Sequence, residues 1–272
     1  MLLSANCKIN IGLDITARRA DGFHEISTLM YPVRGLADTV ELTPVQGPDA
    51  VFTATGLPVD CEPERNLCLR AYRLMQREYG IGAVRIHLHK VVPFGAGLGG
   101  GSSDAAAVIL GLSELFGLGL DAGRMEGLAA RLGSDIPFFV RNVPAIATGR
   151  GEVLTPYSLD LRGYWLVIVK PPFGVGTAEA YRGVTPHLPA RSLADRLAGG
   201  VARWRGEVAN DFEPTVFAAH PQLAALKEEL YNIGAVYASL SGSGSALFGL
   251  FDREPGMLDG WGDLFVYQSY IG

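Results

Sequence analysis

Cysteine is scarce: the chain of 272 residues has 3, Cys7, Cys61 and Cys68. Their spacing matches no metal site, and an odd thiol count makes a poor disulfide framework, so a reducing compartment is expected. Basic charge is not in excess. Lys and Arg number 23 against 28 Asp and Glu, a formal net charge of -5, which argues against a broad nucleic-acid-binding face. No stretch approaches the roughly 20 consecutive apolar residues that cross a bilayer. The opening Met1-Leu2-Leu3-Ser4-Ala5-Asn6-Cys7-Lys8 has neither a basic segment nor a long apolar run, so it does not read as a signal peptide. Internal repeats and low-complexity tracts are also lacking. These absences leave a cytoplasmic globular protein, with no membrane or nucleic-acid partner expected. Its 48% hydrophobic residues suffice for a substantial core.

Glycine is what the chain has in quantity, and one stretch concentrates it: Pro93-Phe94-Gly95-Ala96-Gly97-Leu98-Gly99-Gly100-Gly101-Ser102-Ser103-Asp104-Ala105-Ala106-Ala107. Glycines let backbone N–H groups approach a ligand without a Cβ in the way. A helix starting behind them adds unpaired donors and the positive end of a dipole. That combination suits phosphate.

Around this loop the pattern is mixed. Residues 8–15 alternate polar and apolar, as a half-buried strand does. Residues 26–33, 39–45, 84–91, 145–148, 165–169, 236–240 and 246–251 are further strand candidates. Helices are expected over 65–79, with Cys68, Ala71, Tyr72, Met75 and Tyr79 on one face, and over 103–116, capped by Ser102 or Ser103. Two more are expected, one opened by Asp121 and closed by Gly133, one opened by Pro221 and ended by Gly234. No regular βαβ repeat emerges, which favours an α+β fold. A boundary is expected at Gly149-Arg150-Gly151, dividing an N-terminal domain over 1–150 from a C-terminal domain over 151–272.

Three common phosphate- or nucleophile-bearing patterns fail. Gly95-Ala96-Gly97-Leu98-Gly99-Gly100 satisfies G-x-G-x-x-G, but the motif is mid-chain and the acidic strand end expected about 20 residues on is missing; Asp121 opens a helix instead. The P-loop pattern lacks its lysine before Ser102. No G-x-S-x-G nucleophile elbow is present around Ser102 or Ser243.

The loop resembles the second signature of the GHMP kinases. Ser4-Ala5-Asn6-Cys7-Lys8-Ile9-Asn10-Ile11-Gly12-Leu13 is similar to the first, and Ser239-Leu240-Ser241-Gly242-Ser243-Gly244-Ser245-Ala246-Leu247-Phe248 to the third. The three stand in family order and span nearly the whole chain. The resemblance implies a two-domain α+β fold with the active site in the interdomain cleft. It also implies an ATP-dependent small-molecule kinase. Residues 18–25, 133–139, 148–152 and 210–214 narrow the resemblance to a member acting on a cytidyl alcohol, transferring the γ-phosphoryl of ATP to the 2-hydroxyl of a methylerythritol moiety in isoprenoid precursor formation. The rival acceptors are homoserine, mevalonate or a sugar.

What the resemblance implies can be placed residue by residue. Asp135 would accept the hydroxyl proton, and Lys8 would pair with it and stabilise charge on the transferring group. Taken alone, Lys8 reads as a solvated strand residue and Asp135 as a cap or turn residue. Pro93, Gly95, Gly97, Leu98, Gly99, Gly100, Gly101, Ser102 and Ser103 would wrap the phosphates. Asn66 and Lys90 would flank adenine, although Asn66 could instead cap the first helix and Lys90 be an edge-strand charge. Asn10 would bond near the substrate hydroxyl. Phe23 and Tyr181 would stack on cytosine, His24 would read its edge, and Thr177 lies on the same substrate segment as Tyr181. His87 and His89 share a strand face without a third ligand nearby, so a packed or solvated face is favoured over a metal site. ATP implies Mg²⁺, with few protein ligands. A monomer or homodimer is expected.

Overall fold

The computed structural model describes residues 1–59, 61–256 and 261–272. They fall into two compact units that are not consecutive stretches of chain. One comprises Met1–Lys8, Pro32–Phe94 and Gly99–Val143; the other comprises Ile9–Tyr31, Gly95–Leu98 and Pro144–Gly272. The chain passes from one to the other inside its first two strands and inside the glycine loop.

In chain order the first elements are β1 (Leu2–Arg18), β2 (His24–Pro44), β3 (Val51–Gly56), α1 (Leu67–Tyr79) and β4 (Val84–Lys90). Then come α2 (Gly100–Leu115), α3 (Ala122–Ala130), α4 (Phe138–Arg141), β5 (Ala145–Thr148) and β6 (Val153–Pro156). The remainder are β7 (Trp165–Lys170), α5 (Thr177–Tyr181), α6 (Leu193–Leu197), α7 (Val201–Trp204), α8 (Glu213–Ala219), α9 (Pro221–Asn232), β8 (Tyr237–Leu240), β9 (Leu247–Phe251) and β10 (Phe265–Tyr270). The α+β expectation holds. Residues 26–33 and 39–45, expected as two strands, fall in the single long strand β2 except for the last, since β2 ends at Pro44.

In the first unit β4 lies between β3, which runs parallel to it from Val51↔Arg85, and the end of β2, antiparallel from Thr39↔His89. Helices α1 and α2 pack on one another and are built from sequence patterns of different kinds. α1 is amphipathic and buries Cys68, Leu69, Ala71, Tyr72, Leu74 and Met75. α2 is apolar almost all round, through Ala105, Ala106, Val108, Ile109 and Leu112, as a helix enclosed on most sides should be. Gly111 lets it approach closely: a Cβ there would come within 2.6 Å of Leu42 and 2.8 Å of Leu3.

In the second unit β10, β7, β9 and β8 form an antiparallel sheet in that order. Every residue of β9 is buried. The core of this unit gathers Val167, Val169, Leu240, Leu247 and Phe251 with Phe212, Val216, Leu223 and Leu230 from the helical segment. Residues 28–30 of β2 pair with β5, which pairs in turn with β6. The final strand, β10, pairs antiparallel with β7 from Phe265↔Lys170 to Tyr270↔Trp165.

Among the described residues no helix is long and apolar enough to cross a membrane.

Candidate active site

β1 does not behave as a half-buried strand. Its apolar positions Ala5, Cys7, Ile9, Ile11, Leu13 and Ile15 are buried as alternation requires, but so are Asn6, Lys8, Asn10 and Asp14 on the other face. Burying that many polar groups is costly unless each finds a partner. The partners therefore define the site.

In the first unit the Lys8 side chain is only 3% exposed, and its Nζ lies 3.5 Å from Asp135 Oδ2. Asp135 sits in the turn between α3 and α4, where Gly133 O accepts from Ile136 N at 3.4 Å and Ile136 O accepts from Phe139 N at 3.1 Å. Its side chain is 36% exposed, so the pair has one closed partner and one open to solvent. The stem of Lys8 runs past Gly99: a Cβ there would be 3.1 Å from Lys8 Cε and 3.0 Å from the Phe139 ring.

Gly99, with φ +70°, is also the N-cap of α2 and offers no side-chain cap. The helix thus begins three residues before the expected start, and Ser102 and Ser103 lie within its first turn rather than capping it. A left-handed backbone angle at the cap is open to glycine at little cost. With no side-chain acceptor, the first N–H groups of α2 keep the unpaired donors that phosphate can use.

Gly100 does for Lys90 what Gly99 does for Lys8: a Cβ there would sit 2.9 Å from Lys90 Nζ. Lys90 is not an edge-strand charge. It is buried on an inner strand and its ammonium donates to Asp38 and, at 3.1 Å, to Asp104 Oδ2. Asp38 Oδ1 also accepts from the backbone N–H of Val91 at 2.5 Å and Val92 at 2.8 Å, fixing the strand end that leads into Pro93. Burial pushes the Asp104 carboxyl up, and Lys90 only partly offsets it. Burial opposes the Lys90 charge, but Asp104 and Asp38 outweigh it and hold the ammonium above its ordinary value. Lys90, Asp104, Asn66, Leu67, Cys68, Leu88, Phe94 and Gly101 line a largely apolar cavity of about 450 Å³. Asn66 does cap α1, its Oδ1 accepting from Cys68 N at 2.9 Å, and it lines this cavity as well. The shape and lining suit a planar base with its sugar.

In the second unit the residues 95–98 are tied to the turn between β8 and β9. Ser241 Oγ donates to Gly97 O at 3.0 Å, Ala246 N to Ala96 O at 3.1 Å and Ser245 N to Gly95 O at 3.4 Å. A Cβ on Gly97 would overlap Ser241 O. Asn10 N donates to Ser241 Oγ at 3.2 Å, and Asn10 Nδ2 to Thr28 Oγ1 at 3.0 Å. The first and third signature segments and this part of the second thus converge on Ser241.

The two rings expected beside cytosine have different surroundings. His24 stacks on Tyr181 with ring centroids 4.6 Å apart, while Tyr181 meets Phe212 edge-on at 4.8 Å. Phe23 is 54% exposed, with the Arg150 guanidinium 5.0 Å from its ring centroid. Thr177 Oγ1 lies 3.3 Å from Ser243 Oγ. His87 bonds Thr53 and Thr55, and His89 bonds Thr55. Among the described residues no group of three or more His, Cys, Asp or Glu could hold a metal ion.

Sequence reasoning missed Asp38, Asp104 and Ser241. A signal for Asp38 was there: it shares the inward register of Leu36, Val40 and Leu42, all buried, so it places a charge on the core face. Nothing local flagged its pairing with Lys90, since the two are far apart in sequence.

The family description "GHMP kinases N terminal domain" matches residues 66–142, and "GHMP kinases C terminal" matches residues 194–256. The chain is 43% identical over 273 residues to the 4-diphosphocytidyl-2-C-methyl-D-erythritol kinase of Parabacteroides distasonis, covering 100% of both chains. It is also 43% identical over 275 residues to the protein of that name from Bacteroides thetaiotaomicron, again covering 100% of each. A crystal structure of 4-(cytidine 5'-diphospho)-2C-methyl-D-erythritol kinase superposes with TM-score 0.76 at 38% identity, covering 92% of this chain and 90% of that one. The Methanococcus jannaschii mevalonate kinase, at 14% identity and TM-score 0.69 over 98% of this chain and 97% of its own, shares the fold.

Proposed function

The chain belongs to the GHMP kinase family, whose members are ATP-dependent kinases, and from that premise we propose that it phosphorylates the 2-hydroxyl of 4-diphosphocytidyl-2-C-methyl-D-erythritol, an isoprenoid-precursor step. The reaction is a direct in-line transfer of the γ-phosphoryl of ATP. The observation that carries the chemistry is the Lys8–Asp135 pair at 3.5 Å, a buried cation beside a carboxylate that solvent reaches. The substrate rests on the names of full-length relatives at 43% identity.

Phosphoryl transfer needs positioned reactants and compensation of developing charge more than covalent help from the protein. In this reading Asp135 accepts the proton of the attacking hydroxyl. Lys8 balances negative charge as it gathers on the transferring group, where a desolvated cation acts most strongly. Gly95, Gly97, Leu98, Gly99, Gly100, Gly101, Ser102 and Ser103 hold the phosphates, mainly through backbone N–H groups. The cavity lined by Asn66 and Lys90 takes the adenosine, with Pro93 closing the turn from β4 into the loop. Asn10 orients the acceptor hydroxyl. The His24–Tyr181 stack offers a flat surface and a polar edge to cytosine, with Phe23 and Thr177 beside it in the sequence segments concerned. Magnesium enters as part of the MgATP substrate. Among the described residues no acidic or His/Cys group of three or more could hold it, so its coordination would come mainly from the nucleotide phosphates and water.

Mass spectrometry of the products from ATP with the cytidyl alcohol, homoserine, mevalonate or galactose as acceptor tests the reading. A singly phosphorylated cytidyl product is expected. An inert cytidyl alcohol together with phosphorylation of another acceptor would overturn it.

A further inference from the structure

The glycine loop does not account for a second basic concavity in the first unit. Arg70, Arg73 and Arg77 stand at i, i+3 and i+7 on α1, so they form one stripe over two turns of the helix. With Arg131, just past α3, they line a cavity of about 310 Å³ that Leu74 and Leu132 complete. Several arginines elsewhere are matched with acid, among them Arg19 with Asp21, Arg141 with Glu126, Arg162 with Asp160 and Arg196 with Asp14. Here the match is poor. Arg131 has Glu78 at 2.7 Å, which Arg124 shares at 3.2 Å. Among the described residues Arg73 meets only the exposed Asp49, at 4.0 Å. Among the described residues no carboxylate lies within ion-pair distance of Arg70 or Arg77.

Like charges at these spacings destabilise a helix, and the chain as a whole is acidic, with formal net charge -5. A stripe of cations kept in a hollow under those conditions fits an anionic ligand. The choice of arginine is informative too, because the planar guanidinium grips phosphate oxygens two at a time where an ammonium acts as a point charge. Three guanidiniums spread over two turns exceed what one phosphate can engage. We propose that Arg70, Arg73, Arg77 and Arg131 form a diphosphate-binding site separate from the glycine loop, with Leu74 and Leu132 as its apolar floor.

Isothermal titration calorimetry of the full chain tests this, with the nucleotide site first saturated by a non-hydrolysable ATP analogue. Inorganic pyrophosphate should then still bind, and the Arg70→Gln/Arg73→Gln/Arg77→Gln variant should weaken it by about tenfold or more. Arg73→Lys should give an intermediate loss, because charge is kept and the fork is not. Arg73→Gln and Arg77→Gln singly serve if the triple variant does not fold, each expected to weaken binding by about threefold. Butyl diphosphate distinguishes the sources: tighter binding than pyrophosphate assigns an organic diphosphate to the site, and equal binding assigns the inorganic ion. The proposal falls if pyrophosphate does not bind the nucleotide-saturated wild type, if the arginine variants bind it undiminished, or if only an acidic peptide binds. None of these readouts depends on which alcohol the enzyme phosphorylates.

Discussion

Lys8 and Lys90 begin from the same circumstances. Both side chains are 3% exposed, both belong to the first unit, and consecutive glycines, Gly99 and Gly100, leave the space they occupy. They differ in the carboxylates that meet them. Lys8 faces Asp135, which solvent still reaches, whereas Lys90 is enclosed by Asp38 and Asp104, both buried. A buried cation with an accessible partner suits the proposed chemistry. A buried cation with two inaccessible partners is arranged to hold a sheet, a strand end and a helix together beside a ligand cavity. Residue type and burial do not separate the two cases; the exposure of the counter-ion does.

The sharpest way to break this contrast is Asp135→Asn. Turnover should fall by about 10²–10⁴-fold, the range for losing a general base, while ATP binding by calorimetry stays near wild type. Near-normal turnover would take Asp135 out of the mechanism.

Asp38→Ala should show the opposite balance. It strips Lys90 and the Val91 and Val92 N–H groups of an acceptor, and urea denaturation should show a loss of about 3–5 kcal/mol, as for breaking a buried pair. Turnover per folded molecule should change far less than in Asp135→Asn. If the two variants lose activity alike with stability intact, the lysines do not have separate roles.

The two glycines refine the comparison further. Gly100→Ala drives a Cβ against Lys90 Nζ and Val92, so a stability loss of about 1–3 kcal/mol is expected from overpacking. Gly99→Ala crowds Lys8 and Phe139 at a positive φ, so it should lower kcat as well as stability. Both losses are measurable by thermal melts beside steady-state rates, and a reversed assignment would contradict the pairing of each glycine with its lysine.

A further effect is one of pH. The Asp104 carboxyl, raised by burial from 3.8 to about 8, holds a proton in the folded chain that the unfolded chain gives up near 3.8. Its contribution to stability is therefore full below that value and is lost as pH rises toward the folded one. Asp104→Asn stays neutral throughout, so its stability relative to wild type should improve steadily from pH 5 to pH 8. Urea midpoints across that range give the difference; a constant offset would mean that the carboxyl is not shifted.

Where the pattern was strong, the sequence was enough. The amphipathic face of α1, the alternation of β4 and the caps Asn66 and Asp121 all stand where local chemistry put them. The start of α2 did not, because the serines looked like caps while Gly99, in a left-handed conformation, was the actual one. β2 looked like two strands because the polar and glycine residues near Arg34 and Gly35 resemble a break. β1 misled most usefully: alternation signalled one wet face, yet both faces are buried and the polar one carries Lys8 and Asn10.

By itself, then, the sequence determined the family, the kinase chemistry it belongs to and the three signature segments, because those rest on local order: glycines where backbone must approach phosphate, and a helix start behind them. Only the tertiary structure decided which lysine faces an open carboxylate and which a closed pair, that Ser241 gathers Asn10 and Gly97, and that His24 rather than Phe23 lies on Tyr181. Those outcomes depend on burial and on partners distant in sequence, and the free energy of a charge is set by what surrounds it in space rather than by its neighbours along the chain.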